Sequence, residues 1–145
     1  MTDKPLLIAG ATGYGAWPAN SLEGALACLK APIDGIEIDV QITADGHVVA
    51  HHDYRLAADQ TRLNGVWLEA AGPPIKAMSL DELRRYDVGR ARQGSEAAAR
   101  YPAKTELDGV RVPTLPEAAR RAEPASGPRQ MIYVEIKTDS PAWPR

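Results

Sequence analysis

One cysteine, Cys28, is all that the 145 residues contain, so no disulfide can form within the chain. That favours a reducing compartment. Excess charge of either sign is also lacking: 17 Lys plus Arg stand against 19 Asp plus Glu, a net charge of -2. Such a balance offers no field to attract nucleic acid or an anionic membrane, so any recognition of phosphate has to come from a local cluster. Long apolar runs are missing too. The first residues lead only into Leu6-Leu7-Ile8-Ala9, too short for a signal peptide or a transmembrane segment. The expectation, if Met1 is the true start, is a cytoplasmic protein. No internal repeat or low-complexity segment is found. What is present is ordinary: 44% hydrophobic and 25% charged residues, enough for one domain with its own core.

Local patterns divide the chain. Leu6 to Ala9, ended by Gly10, reads as a buried strand, and Asn20 or Ser21 as the cap of a helix through Leu22, Ala25, Leu26 and Leu29. Residues Gly35 to Val40 alternate apolar and acidic as a second strand. Asp45-Gly46 marks a turn, and His47 to His51 form a third strand. Residues 54–112 are long and irregular, which points to an inserted subdomain or active-site cover after the third strand. Within them Ser79 and Glu82 form a capping box for a helix over Leu83 to Tyr86. Thr114 and Pro116 open another helix, broken at Gly127-Pro128, and Met131 to Lys137 make a fourth strand. This order predicts an α/β protein with parallel strands. A (β/α)₈ barrel needs ~250 residues, so such a barrel would be seen here through its N-terminal half.

Side chains two apart on a strand share a face, so Glu37 and Asp39 point one way while Ile36, Ile38 and Val40 point the other. Paired carboxylates on a core-side face are costly unless they are paired or hold a metal, and oxygen ligands suit Ca²⁺ or Mg²⁺. The alternative is an edge strand whose acidic face is solvated. On the fourth strand Tyr133, Glu135 and Lys137 share a face. Glu135 could complete a three-carboxylate site and Lys137 could hold a phosphate oxygen, or the two could form a simple surface ion pair. His51-His52-Asp53 closes the third strand, and a histidine there can serve as general acid or base.

Four stretches, DGIEIDVQITADG (34–46), HVVAHHDYRL (47–56), GVRVPTLPEA (109–118) and YVEIK (133–137), resemble the glycerophosphodiester phosphodiesterase family, in order along nearly the whole chain. The resemblance implies a TIM (β/α)₈-type barrel with an insertion after the third strand, here residues 54–112 of a domain spanning 1–145. It implies one divalent cation held by Glu37, Asp39 and Glu135, with His52 as general acid/base and Lys137 as a phosphate or metal-shell contact. The implied reaction is hydrolysis of a small-molecule glycerophosphodiester to an alcohol and glycerol phosphate.

The first-strand motif departs from the family pattern. His-Arg-Gly followed by Pro-Glu-Asn-Thr, laid without a gap, puts the His on Gly10, the Arg on Ala11 and the Glu on Ala19; Pro18 and Asn20 match, and Ser21 replaces Thr. Losing one proton-transfer group typically costs ~10²–10⁴-fold in rate. The expected outcomes are a weakened phosphodiesterase, an enzyme with a substitute base such as His51, or a catalytically silent phosphodiester-binding barrel.

A second resemblance competes. Gly10-Ala11-Thr12-Gly13-Tyr14-Gly15 looks like the phosphate-binding turn of Rossmann NAD(P)-binding proteins, with Asp39 placed for a ribose. Trp17-Pro18 falls where the receiving helix should begin, and this reading leaves His51-His52-Asp53 and Glu135-Lys137 unused. Half a barrel would also leave its last strand as an open edge, so self-association, or dependence on a missing half, is expected.

Overall fold

The structure is a computed structural model that describes residues 4–123 and 130–138. Strand β1 (Ile8–Ala9) leads into a tight turn at Gly10–Thr12 and then helix α1 (Leu22–Leu29). Ser21, not Asn20, caps α1, its Oγ accepting from the Gly24 N–H at 3.0 Å. The long strand β2 (Gly35–Ile42) follows, and a turn returns the chain as β3 (Val48–Ala50). The next segment carries β4 (Arg62–Leu63), β5 (Val66–Trp67), α2 (Leu80–Leu83), β6 (Tyr86–Asp87) and α3 (Glu96–Arg100). Helix α4 (Leu115–Ala122) and strand β7 (Met131–Ile136) complete the described chain.

Strands β1, β2 and β7 run parallel, with β2 between the other two. That is the expected barrel arrangement, but it contains three parallel strands, not four. The third strand of the sequence reading pairs antiparallel to β2, with Val40 opposite Ala50 and Ile42 opposite Val48. Chain length explains the correction. Only residues 43–47 join β2 to β3, whereas a parallel crossover needs a dozen or more. Gly46, at φ +84°, makes the reversal possible. Two other expectations shift. Leu6 and Leu7 lie outside β1 and are exposed. The Ser79–Glu82 capping box is present, but it starts α2 at Leu80, and Tyr86 already belongs to a strand.

Strand β2 has Ile36, Ile38 and Val40 buried against α1 and α4 in one cluster with Ala25, Leu29, Ala118 and Ala122. Fully burying an isoleucine side chain contributes ~1.5–3 kcal/mol, which fixes this face outward, toward the helices. β3 divides its side chains: Ala50 joins that cluster, while Val49 joins Leu56, Ile75, Met78, Leu80, Leu83 and Val112 in a second one under residues 54–112. Those residues contain a small antiparallel sheet in the order β5-β4-β6, with Arg62 of β4 paired to Asp87 of β6 at 2.5 Å.

Helix α4 is tied to α2 through its cap. Thr114 Oγ1 accepts from the Glu117 N–H, Glu117 Oε2 accepts from the Thr114 N–H at 2.8 Å, and Arg84 grips the same carboxylate at 2.5 and 2.7 Å. Thr114→Ala is therefore expected to cost about 1 kcal/mol, read as a lower urea midpoint with unchanged slope. The Gly127-Pro128 break lies outside the described residues. Along β7 the side chains of Met131, Ile132, Tyr133, Val134 and Ile136 are exposed, Ile136 to 74%.

Candidate active site

Strand alternation and parallel register build the site. On β2 the face opposite the helices carries Glu37, Asp39 and Gln41, residues i, i+2 and i+4. In the β2–β7 ladder Asp39 is the direct neighbour of Glu135, and Glu37 of Tyr133. Glu37, Asp39 and Glu135 each offer an oxygen, all within 4.8 Å of one another. The solvated-edge alternative fails, because β2 is paired on both sides and Asp39 is only 2% exposed.

The three carboxylates are held differently. Asp39 meets Asn20 twice: the Asn20 Nδ2 donates to Asp39 Oδ2 at 2.9 Å, and the Asp39 N–H donates to Asn20 Oδ1 at 3.0 Å. Asn20 adopts φ +54°, a left-handed conformation that asparagine tolerates better than most residues. Lys137 Nζ, just past β7, lies 2.8 Å from Asp39 Oδ1 and 2.6 Å from Glu135 Oε1. Burial opposes ionisation of Asp39, but the Asn20 and Lys137 hydrogen bonds and nearby His52 outweigh it, and its carboxyl sits below the usual range. Lys137 is likewise pulled down by burial and pushed up, on balance, by its two carboxylates. Among the described residues Glu37 receives only the Ala11 N–H, at 2.7 Å on Oε2. Burial raises its carboxyl, and the neighbouring Asp39 and Glu135 add to the rise.

Glu37 Oε1 is buried with no hydrogen-bond partner. Three carboxylates against one ammonium leave a formal charge of -2 on the cluster. Two oxygens bound to one calcium at ~2.3–2.6 Å lie at most about 5 Å apart, so the spacing suits a hard divalent cation. The residues present fit such an ion, and the orphaned oxygen marks where a ligand bond is wanting.

His51 and His52 reach this site from the end of β3, not from a parallel strand. The His51 N–H donates to the Asp39 carbonyl at 3.0 Å. The two side chains differ in setting: His51 Nε2 is buried and unpartnered among the described residues, while His52 is exposed with Nδ1 2.7 Å from Asp53 Oδ1. Gln41 fixes this corner, its Nε2 lying 3.1, 3.2 and 2.6 Å from the carbonyls of His51, His52 and Asp53. From sequence Asn20 was only a candidate helix cap, and Gln41 had no role. Gln41 carried a usable signal, since it continues the Glu37–Asp39 face by one further step of two.

A cavity of about 420 Å³ opens beside the site, and its lining includes Ala11, His51 and His52 together with Arg90, Arg100 and Lys104. Burial pushes the Lys104 ammonium down to about 8 from 10.5. Between those values the unfolded chain keeps a proton that the folded chain has released, so this group makes stability rise with pH across that window. Urea midpoints compared at about pH 7.5 and about pH 9.5 are expected to show that increment in the wild type and to lack it in Lys104→Met.

The Gly10–Gly15 segment does not open a helix. Gly10–Thr12 is a single tight turn, and α1 begins only at Leu22 under its own serine cap. The dinucleotide reading is thereby set aside.

A mostly parallel α/β sheet with a carboxylate cluster on the face away from its helices and a histidine pair beside it defines a class: an α/β protein with a candidate metal centre. Residues 10–142 match the family model described as the glycerophosphoryl diester phosphodiesterase family, and the chain belongs to that family. It is 31% identical over 140 residues to a glycerophosphodiester phosphodiesterase of Bacillus subtilis, covering 94% of this chain and 41% of that protein. A family structure from Silicibacter pomeroyi superposes with a TM-score of 0.87 at 31% identity, covering 94% of this chain and 47% of that one. An Oleispira antarctica phosphodiesterase, whose crystal structure holds the product sn-glycerol-3-phosphate, gives 0.62 at 27% identity over 92% of this chain and 44% of its own. The chain thus spans less than half the length of these relatives, whose fold is the TIM barrel. Among the described residues no helix is long and apolar enough to cross a membrane.

Proposed function

We propose that this chain supplies the cation-binding and proton-transfer half of a phosphodiesterase site that hydrolyses glycerophosphodiesters to an alcohol and glycerol phosphate. The observation that carries the reading is the Glu37–Asp39–Glu135 cluster with its unpartnered Glu37 oxygen. One Ca²⁺ or Mg²⁺ would be held by those three residues, and when bound it would polarise the phosphoryl group as a Lewis acid. Asn20 fixes the Asp39 carboxylate, so that ligand is set before any ion arrives.

His52 is the proton-transfer group. Asp53 at Nδ1 favours the tautomer with the proton on that nitrogen and leaves Nε2 to accept a proton from the attacking water or return one to the leaving alcohol. Lys137, already beside Asp39 and Glu135, is placed to take a phosphate oxygen at the edge of the cluster. Gly10 and Ala11 bring no charged side chain to the first strand, so turnover is expected to be slow compared with relatives that carry a proton-transfer residue there. Residues 54–112 serve as an inserted cover over the strand ends.

The test is release of sn-glycerol 3-phosphate from a glycerophosphodiester with added calcium or magnesium, and its loss on chelation. Cation binding without hydrolysis would favour the alternative of a silent phosphodiester-binding barrel. A chain that binds neither calcium nor magnesium would overturn the reading.

A further inference from the structure

Resting on that phosphodiesterase reading, we infer that the cavity beside the carboxylates holds the alcohol moiety, and that Lys104 makes it select neutral polyol or anionic alcohols over cationic ones such as choline. The cavity touches the reactive cluster at one end, because Ala11, whose N–H binds Glu37, and His51, whose N–H binds the Asp39 carbonyl, are in its wall. A phosphodiester with its phosphorus at the carboxylates would direct one ester arm into this space.

Part of its lining is cationic. Arg90, Arg100 and Lys104 line the cavity, and the one lining carboxylate, Asp53, is paired with His52. The three cations are not equivalent. Arg90 is paired with Asp108 at 2.7 Å and with Glu106 at 3.7 Å, and Arg100 with Glu96 at 3.7 Å. Lys104 pairs with no carboxylate among the described residues. Its Nζ rests 3.7 Å from the centroid of the Tyr14 ring, and Tyr101 braces that ring edge-on at 5.2 Å.

This geometry decides between alcohol classes. The open face of an aromatic ring is what a quaternary ammonium would use, and here the protein's own ammonium occupies it. A choline group would have to displace Lys104 and then sit among like charges at low dielectric. A glycerol-type alcohol meets the opposite situation: Lys104 offers donors to its hydroxyls, and the buried, unpartnered His51 Nε2 offers one more polar atom in the same wall. An ammonium with no carboxylate to neutralise it is also the partner an anionic alcohol lacks in water.

Calcium-loaded protein titrated calorimetrically with glycerophosphoglycerol and with glycerophosphocholine tests this. The wild type is expected to prefer glycerophosphoglycerol by about tenfold or more. Lys104→Glu should reduce that ratio by at least as much, and Lys104→Arg should retain it. Lys104→Met, which keeps the stem over Tyr14, provides the same comparison should the Glu variant melt early. Equal binding of the two diesters, preference for glycerophosphocholine, binding of neither, or a ratio unmoved by removing the charge would each overturn the subsite. A separate calcium titration keeps the two readings apart. Calcium binding without the preference leaves the phosphodiesterase reading standing, and the preference without calcium binding leaves the cavity reading standing.

Discussion

Replacing Glu37 by glutamine is expected to abolish the thermal stabilisation that calcium or magnesium gives the wild-type protein, while leaving the metal-free melt unchanged or slightly raised. The two halves of that result come from one environment. The Glu37 carboxylate is partly buried beside Asp39 and Glu135 and has one backbone donor, so its charge is unfavourable until a cation arrives. Glutamine keeps the shape, and its carbonyl oxygen can still accept from the Ala11 N–H, but one negative charge leaves the cluster. Losing an outer partner of a metal ligand typically costs ~10–100-fold in affinity, so loss of a direct carboxylate should cost about 100-fold or more. The midpoint of the melt, followed against cation concentration, reads this directly through ligand linkage. A Glu37→Gln protein that still responds to calcium as the wild type does would sink the shared cation site, and its metal-free melt would show that misfolding was not the cause.

His52→Ala should lower turnover of a glycerophosphodiester by about 10²–10⁴-fold, with most of the effect in kcat. The side chain is exposed and its described polar contact is with Asp53, so truncation removes no buried contact and the melt should hardly move. His51→Ala is the useful contrast. That ring lines the cavity with a buried nitrogen, and burial holds its pKa below the ordinary value, as expected for a neutral imidazole. Its removal should lower stability. If the His52→Ala protein retained wild-type kcat, the proton-transfer role would have to move to another group, with His51 the next to test.

The acidic face was legible because strand periodicity is rigid. Once Gly35 to Val40 is taken as a strand, Glu37 and Asp39 must share a side, and their meeting with Glu135 needs only parallel pairing in register. The direction of β3 was legible too but went unused. Asp45-Gly46 is a hairpin signal, and five residues cannot return a chain for parallel pairing. Asn20 was hidden for a different reason: its position before α1 invites a capping role, and only the tertiary fold brings Asp39 within reach of its side-chain amide. Leu6 and Leu7 read as buried from hydrophobicity alone, but among the described residues strand pairing there begins at Ile8, and they lie at the sheet's margin.

That margin has a counterpart on the other side of the sheet, with larger consequences for behaviour in solution. Among the described residues β7 bonds to β2 and to no further strand, so along its outer border the peptide groups have no β partner. Together with the uncovered side chains of that strand, they form a template onto which another extended segment can dock lengthwise. We propose that a second extended chain can pair along this border. At high concentration that chain would be a neighbour of the same kind, and the assembly would grow with dose, which sedimentation at several protein concentrations would reveal.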